Sequence, residues 1–152
     1  MGKAIDYVIS GFPRIRSAWL CALLNAHGSE CGHDILSGAP IGKDGISDPT
    51  IACFKMPITA EVRIYIHRDD SWREAYERFI GFRLDDALVD EWRRNVAEYA
   101  RTARWFNFND LDTQVYDILE FCGVTPSTHI VETFIGMKIE QHLSKAMKRV
   151  RS

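Results

Sequence analysis

Apolar and polar positions along the chain change period several times, and the changes mark out its elements. Ala4 to Ser10 is a short β-rich run that breaks at the turn Gly11-Phe12-Pro13. Ser17 to Ala26 is apolar on most faces and predicts a buried helix. Strand, glycine turn and buried helix together open a parallel α/β fold. Ser29 to Leu36 predicts a second short strand. Ser37 to Pro49 holds glycines and prolines and reads as a loop, and Thr50 to Phe54 predicts a third strand. Val62 to His67 alternates apolar residues with others and predicts a fourth.

The period then lengthens. Ser71 to Ile80 predicts a helix capped by Asp70 or Ser71. Asp85 to Thr102 predicts the longest helix, with Leu88, Trp92, Val96 and Tyr99 recurring every three to four residues. Arg104 to Phe108 predicts a fifth strand. A further helix opens at Asp110 or Asp112 and closes at Gly123, and Thr128 to Arg151 predicts a helical tail ending in Lys145, Lys148, Arg149 and Arg151. This alternation predicts a single α/β domain over 1–152: three layers, with a parallel sheet of about five strands flanked by helices. In such sheets ligands bind beyond the carboxyl ends of the strands.

Composition narrows the function classes. The chain has 152 residues and a formal net charge of −2, which argues against bulk binding to nucleic acid or to an anionic membrane. No apolar run approaches a membrane span, no secretory leader is expected, and the residues after Gly2 read as a strand rather than an acylation signal. Cys21, Cys31, Cys53 and Cys122 include no C-x-x-C pair, and Cys21, Cys53 and Cys122, each in an apolar context, read as buried thiols of a reducing cytoplasm. Arginine outnumbers lysine, and its planar fork suits phosphate and carboxylate as well as surface ion pairs.

The loop from Gly11 to Leu20 carries the candidate chemistry. A strand-to-helix loop offers backbone N–H groups and the positive end of a helix dipole, a ready anion site. The Walker pattern G-x-x-x-x-G-K-[ST], set on Gly11, meets Arg16, Ser17 and Ala18 at its last three fixed positions. It lacks the lysine and the metal-binding hydroxyl, so a magnesium-dependent NTPase or nucleotide kinase is not expected.

Phe12, Pro13, Arg14, Ser17, Trp19 and Leu20 do match, in register, the phosphosulfate loop written F-P-[KR]-S-G-T-x-W-L, and the stretch resembles that of sulfotransferases. Ile15 replaces the family's Ser and Arg16 its Gly. Short phage and bacterial sulfotransferase-like proteins carry P-R-S-R-T-A-W-L, from which only Ile15 and Ser17 depart. Ile64 to Asp69 resembles the family's second nucleotide motif, a strand ending in Arg and followed by a helix. Arg104 to Leu111 resembles a late strand ending Y-E-D-L, and Ile118 to Val124 a helix ending F-L-G-V.

The resemblance implies a P-loop NTPase-like domain with strand order 2-3-1-4-5. It also implies an adenine nucleotide partner, 3′-phosphoadenosine 5′-phosphosulfate (PAPS), that donates sulfuryl to an unknown small hydroxyl or amine acceptor without a metal. Pro13, Ile15, Arg16, Ser17 and Ala18 would then surround the 5′-phosphate, and Arg14 would be the electrostatic catalyst. Arg68 would bind the 3′-phosphate. The family's Ser about eight residues beyond that Arg is here Tyr76, with Ser71 nearer. The alternative is a non-catalytic relative that binds a nucleotide or a partner protein.

Two candidates, Arg16 and His33, keep two readings each. Arg16 could intrude on a bound phosphate or clamp it. His33, in Cys31-Gly32-His33-Asp34, could take a proton from an acceptor, with Asp34 orienting it or acting alone; the plain reading is a histidine hydrogen-bonded at a loop edge. Ser47-Asp48 reads first as a turn closed by a side-chain-to-backbone bond. His67 reads as a packing residue. A zinc site is not expected, since neither His27 nor any cysteine pair completes four ligands.

Overall fold

The computed structural model describes residues 4–135. Its five strands are β1 (Ile5–Gly11), β2 (Cys31–Gly32), β3 (Gly45–Ser47), β4 (Ala60–His67) and β5 (Arg104–Asn107). The helices are α1 (Ser17–Ala26), α2 (Thr50–Cys53), α3 (Ser71–Ile80), α4 (Asp86–Ala100), α5 (Leu111–Phe121) and α6 (Thr128–Phe134). Every strand pair is parallel and the order is β2-β3-β1-β4-β5, the order that the resemblance implies, although a different segment stands third.

Alternation along the central strands builds the layers. Tyr7 and Ile9 of β1, with Ile64 and Ile66 of β4, point to one face and pack with α1, α5 and α6. Val8 and Tyr65 point to the other and pack with α2, α3 and α4. A side-chain period of two on a sheet buried on both faces requires this division. Tyr99 of α4 ties the layers together: its buried hydroxyl donates to the Ile64 carbonyl at 2.8 Å and lies 3.2 Å from the Val8 carbonyl. The result is a three-layer α/β domain of Rossmannoid arrangement. Among the described residues no helix is long and apolar enough to cross a membrane.

The third strand is a correction. Thr50 to Phe54, expected as a strand, is the short helix α2, and β3 lies within the stretch expected as loop. Gly45 permits this placement: a Cβ there would meet the Tyr7 ring at 2.2–2.4 Å. Asp48 then turns the chain, its Oδ1 accepting the Thr50 N–H at 2.8 Å. The expected strand from Ser29 to Leu36 shrinks to Cys31–Gly32, because Asp34 adopts a left-handed φ of 61° and Ile35–Ser37 forms a 3-10 turn. At α3 the cap position is Asp70 without a side-chain bond; Asp69 Oδ1 accepts the Ser71 N–H instead. Asp110 precedes α5 and Gly123 follows it as expected. Thr128–Phe134 of the expected tail is helical, and its remainder, with the basic residues beyond it, lies outside the described residues.

Candidate functional site

The loop between β1 and α1 divides its side chains between core and solvent. Phe12 stacks on Trp72 of α3, with centroids 4.5 Å apart and planes 6° apart, and Ile15 is fully buried. These two anchors hold the loop while Pro13, Arg14 and Arg16 face a cavity of about 860 Å³ at the carboxyl end of the sheet. Arg14 and Arg16 adopt φ values of 67° and 65°. A left-handed conformation costs a residue with a Cβ roughly 1–2 kcal/mol. Of the four non-glycine residues at positive φ among those described, Arg14, Arg16 and Asp34 all line this cavity. Strain of this kind collects at binding sites, where surrounding contacts hold it.

Helix α1 begins at Ser17, with no side-chain cap and no acid in its first turn. Its leading N–H groups therefore lie at the cavity mouth beside Ser17 and Ala18, which also line it.

Two arginines line this part of the cavity. Arg68, just beyond β4, donates from Nη1 to the Arg14 carbonyl and from Nε to Ser71 Oγ at 3.1 Å, and lies 4.1 Å above the Phe108 ring. Arg14 lies 4.3 Å above the Phe79 ring of α3. Burial pushes the Arg68 guanidinium below its ordinary value; Asp69 pulls it back up, and the charge of Arg14 adds to the downward push. Two like charges on one cavity wall gain from an anion bound beside them. Ser71 is not on the cavity wall, and its hydroxyl fixes Arg68 from behind.

Arg16 also lines the cavity. Its guanidinium lies 3.9 Å over the Trp19 ring and pairs with Asp112 of α5 at 2.8 Å.

On the opposite wall, β2 delivers His33 and Asp34. A carbonyl oxygen can only accept, so the contact of His33 Nδ1 with the Ser47 carbonyl places a proton on Nδ1. In the neutral ring Nε2 then carries the lone pair. Ser47 also donates from Oγ to the Ser17 carbonyl at 2.8 Å, linking the histidine to the start of α1. Asp48 is buried, and its Oδ2 accepts the Ile35 N–H at 2.9 Å. The local turn expected at Ser47-Asp48 is there, and it also pins the segment that carries His33 and Asp34. Asp34 itself is exposed.

Tyr76 lines the cavity from α3. His67 is outside it: the ring stacks on Trp105 at 5.3 Å, and its Nδ1 lies 3.2 Å from the Tyr65 hydroxyl. His27 uses both ring nitrogens in the fold, on the Leu23 carbonyl and the Ser127 N–H. Sequence reasoning missed the apolar wall, where Phe54 and Phe79 stand 49% and 59% exposed beside the cavity. Nothing in their local pattern separates them from core aromatics. Among the described residues no group of three or more His, Cys, Asp or Glu side chains could hold a metal ion.

Comparison of the chain with protein-family models, with curated proteins and with solved structures returns no match.

Proposed function

We propose that this chain is a P-loop-type domain that binds a phosphorylated adenine nucleotide and transfers sulfuryl from PAPS to a hydroxyl or amine acceptor. The observation that carries the reading is the convergence of Arg14, Arg68, the opening turn of α1 and His33 on one cavity. Its volume of about 860 Å³ lies in the range of small-molecule sites and leaves room for a nucleotide beside a small acceptor.

PAPS, when bound, supplies an activated sulfuryl group and a leaving bisphosphate. The N–H groups of residues 15–18 and the Ser17 hydroxyl would hold its 5′-phosphate. Arg68, fixed by Ser71 and the Arg14 carbonyl, would hold the 3′-phosphate. Arg14 would stabilise negative charge that grows on the bridging oxygen. His33 Nε2 would accept the acceptor's proton, with the Ser47 carbonyl keeping the other ring nitrogen protonated. Ala18 stands where a Walker loop has its metal-binding hydroxyl, which favours transfer without magnesium.

The test is transfer of labelled sulfuryl from PAPS to a panel of phenols, sugars and amines, with and without a magnesium chelator. Transfer that survives chelation is expected. Strict magnesium dependence contradicts the mechanism. Tight bisphosphate binding with no turnover on any acceptor selects the binding-only reading.

A further inference from the structure

Between α1 and β2, four polar side chains gather at the edge of the apolar core: Tyr7, Cys21 and Cys31 are buried and Asn25 is exposed. Cys21 of α1 and Cys31 of β2 are both free thiols, 8% and 7% exposed. Cys21 Sγ donates to the Cys31 carbonyl oxygen at 3.3 Å, and Cys31 Sγ to the Gly32 carbonyl at 3.5 Å, which sets the two residues side by side. Asn25 Nδ2 donates to the Cys31 carbonyl at 2.9 Å and lies 3.4 Å from Cys21 Sγ, while its Oδ1 accepts the Cys31 N–H. Tyr7 completes the group, its hydroxyl 2.7 Å from Ser29 Oγ.

We infer that Cys21 and Cys31 form an oxidation site that closes to an intramolecular disulfide when a peroxide reaches it. The Asn25 amide N–H points at the sulfur of Cys21, and such a donor favours a thiolate. The contact with Cys31 is the first cause of a lowered Cys21 pKa, and both that contact and burial hold the Cys31 thiol up. Cys21 is therefore the attacking sulfur and Cys31 the resolving one. The Cys21 thiolate attacks one peroxide oxygen, breaking the O–O bond, and becomes a sulfenic acid as the other oxygen leaves as water. The Cys31 sulfur then displaces the sulfenic oxygen, forms the S–S bond and releases a second water. The peroxide takes the two electrons that the two thiols lose.

Access follows from the fold. β2 is the edge strand, with two residues in its ladder, and short edge ladders open at little cost. Cys53 and Cys122 are buried in different surroundings, where burial is the first cause that raises each thiol's pKa. The bond would staple β2 to α1 two positions before His33.

No Lys or Arg lies between Arg16 and Lys43, so one tryptic peptide, Ser17–Lys43, carries both cysteines. The reduced full chain is treated with hydrogen peroxide, quenched, alkylated in denaturant and mapped by mass. The expected product is Ser17–Lys43 without either alkyl group and short of two hydrogens, restored by dithiothreitol, with Cys53 and Cys122 still alkylated. Cys31→Ser should stop Cys21 at a sulfenic acid that dimedone traps. A doubly alkylated Ser17–Lys43 after peroxide has oxidised a reference dithiol overturns the inference, as does a disulfide formed only between chains. The wild-type map decides the point even where the variant fails to fold.

Discussion

The Ser47 carbonyl accepts the Nδ1 proton of His33, and the same serine's hydroxyl donates to the Ser17 carbonyl at 2.8 Å. One residue of β3 therefore sets both the tautomer of the candidate base and its place relative to the anion loop. His33→Ala should lower sulfuryl transfer by roughly 10²–10⁴ while leaving nucleotide affinity close to wild type. Ser47→Ala keeps the carbonyl and removes only the tether to Ser17, so its effect on rate should be smaller. Steady-state turnover alongside binding calorimetry separates the two, and an unchanged rate in His33→Ala would assign the proton to another group.

Arg14 is held at the loop by its φ of 67° and by Phe79 beneath its guanidinium. Charge on the bridging oxygen develops mainly in the transition state, so Arg14→Ala should cut turnover by about 10²–10³ and change donor affinity far less. Single-turnover kinetics at saturating PAPS reads the rate directly. A loss confined to affinity would make Arg14 a binding residue.

Gly45→Ala tests the placement of β3. Its Cβ would fall 2.2–2.4 Å from a Tyr7 ring that is fully buried and cannot step aside. A cost of about 1–3 kcal/mol or more in urea unfolding is expected from such overpacking. An unchanged midpoint would mean that Gly45 does not face Tyr7.

Acid should weaken the α3–α4 junction. Glu77 Oε2 accepts the Leu84 N–H at 2.7 Å and the Arg73 Nε–H at 3.2 Å, and the Leu84 bond is the first cause holding its carboxyl below the ordinary range. Asp86, paired with the same arginine, is lowered as well. A carboxylate whose folded value is depressed contributes its stability above the unfolded value of about 4.3 and loses it as pH falls through the folded value. Denaturation midpoints should therefore fall below about pH 4, and Glu77→Gln should flatten that fall while lowering the neutral-pH midpoint modestly, since the pair is open to solvent. Identical pH profiles for the two proteins would contradict this assignment.

The β1–α1 loop and the arginine beyond β4 are legible because each rests on a local pattern, whereas the strand order follows from the resemblance. Gly11-Phe12-Pro13 ends a β-rich run, Ser17 to Ala26 is apolar, and Val62 to His67 alternates. β3 was not legible, since three residues are too few to display a period and Gly45 is fixed by Tyr7, far away in sequence. Thr50 to Phe54 has the composition of a strand, but Asp48 turns it into a helix through the Thr50 N–H. At the site, Arg68 and His33 follow from standing at strand ends, and Arg14 from the resemblance of its loop. The partners of Arg16 do not: Asp112 lies 96 positions away and only the packing of α5 brings it near. The roles of Ser47 and Asp48 as braces depend in the same way on β3 lying beside β1.

The central claim is that Arg14, Arg68 and the opening of α1 form one phosphate-binding site, with Arg68 reading the 3′-phosphate. Titration calorimetry of the wild type and Arg68→Ala with 3′,5′-adenosine bisphosphate and with 5′-AMP tests it most directly. The wild type should bind the bisphosphate more tightly, and Arg68→Ala should weaken the bisphosphate by tenfold or more, roughly the 1.5–3 kcal/mol of a charge-assisted contact, while hardly changing 5′-AMP. No binding of either nucleotide by the wild type, or equal losses for both in Arg68→Ala, would contradict the account.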